Sequence, residues 1–127
     1  MFDREKRREV EELDKIIEKE TRAIQDLISN GDTDSKSVET RKKRLAVAHN
    51  DRGWLWYRLV EFDKAIEDYS SALSYDNLLA EAYFNRGTIH YRLGDFSLAV
   101  ADMSRAVCLQ PENEEFQKGY HASNIML

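Results

Sequence analysis

Three histidines and one cysteine are the side chains of this 127-residue chain that titrate or react most readily near neutral pH. His49, His90 and His121 stand far apart, and no pair has the short spacing with which a helix or loop closes on zinc. Cys108 lies between Val107 and Leu109 with no base near it in the pattern, so it reads as a buried structural thiol, not a nucleophile. No glycine-rich phosphate loop and no nucleophile elbow occurs. The inventory predicts a non-enzyme without metal or cofactor.

The charged residues are more informative. Arg52 and Arg86 each precede a glycine, Gly53 and Gly87, and Asp68 and Asp102 each follow 16 residues later. Across a helical hairpin such residues face each other, so an Arg–carboxylate bridge within each hairpin outweighs a ligand-binding role. Arg58 and Arg92 follow Tyr57 and Tyr91. They either bridge Glu61 and Asp95 or stand on a binding face. Arg41–Arg44 is a run of four cations. It reads as a solvated helix face, with nuclear import as the alternative.

These pairs recur because the chain repeats. Residues 46–76 and 80–110 share twelve identities in 31 positions without a gap, including Ala46/Ala80, Gly53/Gly87, Phe62/Phe96, Ala65/Ala99 and Ala72/Ala106. Apolar residues fall at helical spacing over 46–59, 62–75, 80–93 and 96–109. The turn within each pair is very short, so paired helices are antiparallel neighbours. Gly53, Gly87, Ala65 and Ala99 are small where the helices approach closely. Larger side chains there would overpack the contact at a cost of about 1–3 kcal/mol.

A period of 34 residues resembles the tetratricopeptide repeat (TPR). The second copy, Ala80 to Asn113, has the family's aromatic Tyr83, small Gly87, turn Gly94-Asp95-Phe96, alanines Ala99 and Ala106, and closing Pro111. The first copy departs from it: His49 replaces the aromatic, Val60 the turn glycine and Asn77 the proline. His49 and His90 hold places where the family has core or near-core aromatics, which makes them packing residues. The resemblance implies an all-α solenoid of helical hairpins, about six helices in all. Residues 1–35 are a long charged helix and loop, 36–79 a first repeat with an extended first helix, 80–113 a second repeat, and 114–127 a capping helix. In the long helix Val10, Leu13, Ile17, Ile24, Leu27 and Ile28 form a stripe with Ile16 beside it, interrupted by Glu20. It packs on its own chain as a leftover second helix, or reaches out as a coiled-coil arm. Phe116, Tyr120 and Ile125 are placed to cover the second repeat.

The resemblance also implies that the first helix of each repeat lines a concave groove. One face shows Asn50, Trp54, Tyr57 and Arg58, and the other Phe84, Thr88, Tyr91 and Arg92. Aromatics beside arginines suit a peptide or helix of a partner protein, acidic with apolar anchors. Some TPR proteins grip the C-terminal EEVD of Hsp70 or Hsp90 with a clamp of Lys and Asn. Asn85 fits one clamp place, but Asn50 and Trp54 stand where a Lys and a second Asn belong, so that mode is largely lost. The expected function is a protein-binding adaptor. The alternative is a structural subunit that docks or self-associates through its N-terminal helix or an open solenoid end.

Composition narrows the field. The net charge of −5 disfavours a general nucleic-acid binder. No apolar run has membrane-spanning length. One cysteine allows no internal disulfide, which sets a cytosolic default.

Overall fold

The computed structural model describes residues 2–31 and 35–127. Of the break expected from Ser29 to Ser35, Asp32, Thr33 and Asp34 lie outside the described residues. The described chain is all-α: α1 (Phe2–Ser29), α2 (Ser35–Arg58), α3 (Phe62–Tyr75), α4 (Ala80–Arg92), α5 (Phe96–Leu109) and α6 (Glu114–Asn124). Helices α2/α3 and α4/α5 form antiparallel hairpins. Between hairpins, α1 packs on α2, α3 on α4 and α5 on α6, while α2 meets α4 and α4 meets α6. Each element touches only its near neighbours, which is the one-dimensional order of a solenoid.

The two hairpin turns have the same hydrogen bonds. The Val60 and Glu61 amides donate to the Tyr57 and Trp56 carbonyls at 3.0 and 2.8 Å, and those of Gly94 and Asp95 to Tyr91 and His90 at 3.1 and 2.8 Å. This is a Schellman ending, which needs a left-handed residue after the helix. Gly94 adopts φ 82° without difficulty, whereas Val60 is held at φ 60°. A β-branched side chain is disfavoured there, so the first turn is strained where the second is not.

Small residues let the hairpins close. A Cβ on Gly53 would lie 2.8 Å from the ring of Tyr69, which is itself buried. On Gly87 it would meet Cβ of Asp102 at 3.1 Å. The core follows the stack as a series of clusters. Ile24, Val38 and Leu45 join α1 to α2, and Ala46, Ala72, Leu73 and Ala82 join the two hairpins. Ala80, Ala106 and Phe116 seat α6.

The long N-terminal helix packs on its own chain. Glu20, which interrupts its apolar stripe, is buried and accepts a hydrogen bond from Arg41 of α2 at 3.0 Å. One of the four cations of 41–44 is thereby used within the fold. At the other end Phe116 is buried but Ile125 is exposed, so the cover over the second repeat is narrower than its apolar residues suggested. Cys108 is exposed, which corrects the expectation of a buried thiol. The buried stripe of α5 runs through Ala99, Asp102, Met103 and Ala106, and Cys108 falls off it despite its apolar neighbours.

Candidate peptide-binding groove

Two arginine clusters link the helices of the stack. Arg52 gives Asp68 two parallel bonds, Nε to Oδ2 at 2.8 Å and Nη2 to Oδ1 at 2.6 Å. Arg86 repeats this on Asp102 at 2.8 and 2.7 Å. Both aspartates are buried, so these forked pairs satisfy carboxylates that could not stand alone. The third arginine nitrogen reaches the preceding second helix: Arg52 Nη1 donates to Asp14 of α1 at 2.7 Å, and Arg86 Nη1 to Ser70 of α3 at 3.1 Å. Each cluster thus ties its hairpin to the layer before it.

Burial pushes the Asp68 carboxyl up, but hydrogen bonds from Arg52 and His49 outweigh it and hold the group below the usual carboxylate range. His49 Nδ1 lies 3.0 Å from Asp68 Oδ1, and because a carboxylate only accepts, Nδ1 carries the proton. The His49 ring also stacks on Tyr75. The hydrogen bond to Asp68 raises the Arg52 guanidinium above its ordinary value, and the bond to Asp102 does the same for Arg86. His90 is less well served: its Nε2 stays 3.8 Å from Asp102, and its buried Nδ1 has no hydrogen-bond partner.

The stack carries a cleft of about 660 Å³. Helix α1 contributes Glu9, Glu12, Leu13 and Ile16, α2 Asn50, Asp51, Trp54 and Leu55, α4 Glu81, Phe84 and Asn85, and α6 Glu115 and Phe116 together with its N-cap Asn113. Its apolar floor is rimmed by acids. Trp54 and Ile16 are nearly half exposed, at 47 and 48 %. Phe84 stacks on Phe116 with centroids 4.9 Å apart. Gly119 allows this approach, since a Cβ there would lie 3.0 Å from the Phe84 ring. Asn85 donates to Asn50 at 3.2 Å across the two first helices. Asp51 is exposed at the cleft rim, and the partial burial of its carboxyl with the neighbouring charge of Glu81 pushes that group above its ordinary value.

Of the groove residues expected from sequence, Asn50, Trp54 and Phe84 line this cleft, and Tyr57, Arg58, Thr88, Tyr91 and Arg92 do not. Arg58 lies over the Trp54 ring at 4.5 Å, and Arg92 over Tyr57 at 5.4 Å. Tyr57 packs on Phe62 and Tyr91 on Phe96. The Thr88 hydroxyl donates to the Phe84 carbonyl at 2.9 Å. Among these five, Arg92 and Tyr57 are in contact, joining α4 to α2 near their C-terminal ends. Sequence reasoning missed the contributions of α1 and α6 to the cleft. The row Glu9, Glu12, Leu13, Ile16 at three- and four-residue spacing was the available signal.

Comparison with known proteins agrees with this architecture. Two tetratricopeptide-repeat family models match, one over residues 57–94 and the other over 80–113. No curated protein matches the sequence. Among solved structures, the TPR2B domain of yeast Sti1, in a complex with an Hsp70 peptide, is similar with TM-score 0.60 and 15 % identity over 88 % of this chain and 98 % of that one. The second TPR domain of human RPAP3, in complex with the HSP70 peptide SGPTIEEVD, has TM-score 0.60 and 17 % identity over the same shares. The C-terminal TPR-containing domain of a Plasmodium falciparum FK506-binding protein has TM-score 0.61 and 20 % identity over 97 % of this chain and 83 % of that one. The chain therefore carries tetratricopeptide repeats and folds as a TPR array. No described helix is long and apolar enough to cross a membrane.

Proposed function

We propose that the chain is a non-enzymatic adaptor that binds a peptide or helix of a partner protein along the concave side of its repeats. The observation that carries this reading is the half-exposed Trp54 beside Phe84 in a cleft walled by four helices. A large aromatic left open in a concave apolar site is the kind of residue that dominates binding energy. The peptide complexes of the Sti1 and RPAP3 domains support the same use of this fold. Trp54 and Phe84 would hold apolar anchors, and the Asn50–Asn85 pair would meet backbone. Arg58 and Arg92, with Tyr57, Thr88 and Tyr91, would take the acidic part of a partner at the other end. An EEVD-type tail bound only through the cleft fits poorly, because no Lys or Arg is among the described lining residues.

Partner capture by wild type should fall at least tenfold in Trp54→Ala and in Arg92→Glu, with the helical circular-dichroism signal intact. Undiminished capture by both variants would eliminate the groove. A second reading, a subunit docked through its solenoid ends, draws on the exposed Ile125, Met126 and Leu127. Concentration-independent sedimentation as a monomer would count against it.

A further inference from the structure

Helix α1 occupies the place of a second helix. Helix α1 packs on α2, the first helix of the first hairpin, as α3 packs on α4 and α5 on α6. The arginines give its role: Arg52 reaches Asp14 of α1 just as Arg86 reaches Ser70 of α3. Yet no described helix forms a hairpin with α1 as α2 does with α3. A first helix in that position would lie against both α1 and α2.

The surface that such a helix would cover is the α1–α2 part of the cleft. Leu13, Ile16 and Trp54 supply its open apolar floor. The repeat shows what side chains would do there. Asp51 in α2 is the counterpart of Asn85 in α4, and Asn85 reaches Asn50 on the preceding first helix. Asp51 therefore faces the place of the preceding first helix, but as a carboxylate it can only accept. Glu9 and Glu12 line the same cleft from α1, and Glu81 stands close enough to Asp51 to raise its carboxyl. No Lys or Arg is among the described lining residues; Arg58 lies over the Trp54 ring at the edge of the cleft and Arg92 over Tyr57, so the acids Glu9, Glu12 and Asp51 set the charge on the α1 side.

Resting on the groove reading above, we infer that the α1–α2 cleft receives an amphipathic helix of a partner protein, in the position of a first helix, whose apolar row covers Leu13, Ile16 and Trp54 and whose flanking lysines or arginines meet Glu9, Glu12 and Asp51. Charge complementarity selects this occupant over an acidic segment. It also disfavours a second copy, which has the same net charge of −5.

Three 18-residue probe peptides with one leucine spacing and either Lys, Gln or Glu at every other position test this by fluorescence anisotropy. The Leu/Lys peptide should bind at least tenfold more tightly than Leu/Gln at low salt, weaken as salt rises, and exceed Leu/Glu by more. Glu12→Lys/Asp51→Lys should reverse the order, whereas Asp63→Lys/Glu67→Lys, the same charge change on exposed positions of α3, should leave it. Equal binding of Leu/Lys and Leu/Gln, or the same loss with the α3 variant, would overturn the basic-helix inference. The groove reading would still stand if Trp54→Ala weakened every peptide. Peptide binding indifferent to Trp54→Ala would reject both. A dimer on sedimentation that Asp51→Lys dissociates would assign the place to a second copy and overturn the inference.

Discussion

Replacing Val60 by glycine should make the protein more stable, although it deletes an apolar side chain. Val60 is held at φ 60° by the two hydrogen bonds that end α2, and the residue is 71 % exposed, so little burial is lost. The left-handed conformation costs an L-residue about 1–2 kcal/mol. Glycine removes that cost but gives the unfolded chain freedom worth about 0.5–1 kcal/mol. The balance is a gain of about 1 kcal/mol. Gly94 holds the same place at φ 82° in the second hairpin, so Gly94→Ala should lose about 1 kcal/mol. Urea denaturation measures both: the midpoints should move in opposite directions with unchanged slope. The melting temperature of Val60→Gly should rise by about 3–5 °C. A Val60→Gly variant no more stable than wild type, or a Gly94→Ala variant that loses nothing, would refute the strain argument.

The buried ion pairs and the cleft acids give three further expectations. Arg86→Ala should cost about 2–4 kcal/mol by stranding Asp102, while Arg86→Met/Asp102→Leu should recover most of it in the same urea titrations. Asp68, held below the usual carboxylate range, is protonated more readily in the unfolded chain. Its contribution is therefore full above about pH 4 and lost as pH falls through the folded value. Asp68→Asn should lower stability at pH 7 and flatten the acid limb measured from pH 7 to 2. Asp51 has the opposite sign: a raised carboxyl favours the fold at low pH and loses that contribution as pH rises through its folded value. Asp51→Asn should raise the melting temperature at pH 7 and leave it unchanged at pH 3.

The hairpins were legible because their signals are local. Helical spacing, glycines and alanines at close approaches, and an Arg–Asp interval of 16 residues all follow from helix geometry within one repeat. What escaped depends on contacts between layers. Glu20 looked like an interruption of the α1 stripe because Arg41, its partner, is 21 residues away in another helix. Arg58 and Arg92 showed their helical face, but neither Glu61 nor Asp95 holds them, and the rings they cover are at Trp54 and Tyr57. The charge of the cleft was hidden for the same reason. Its acids come from α1, α2, α4 and α6, and only the stacked layers bring them together. Cys108 was misread from its neighbours in sequence, when helical angle decides burial.

The most direct measurement is an amide and indole NMR titration of the full chain with a captured partner segment. The largest shifts should fall on Asn50, Trp54, Phe84 and Asn85, together with Leu13 and Ile16 of α1. Shifts confined to the outer faces of α3 and α5, with the Trp54 indole unmoved at saturation, would contradict a concave site.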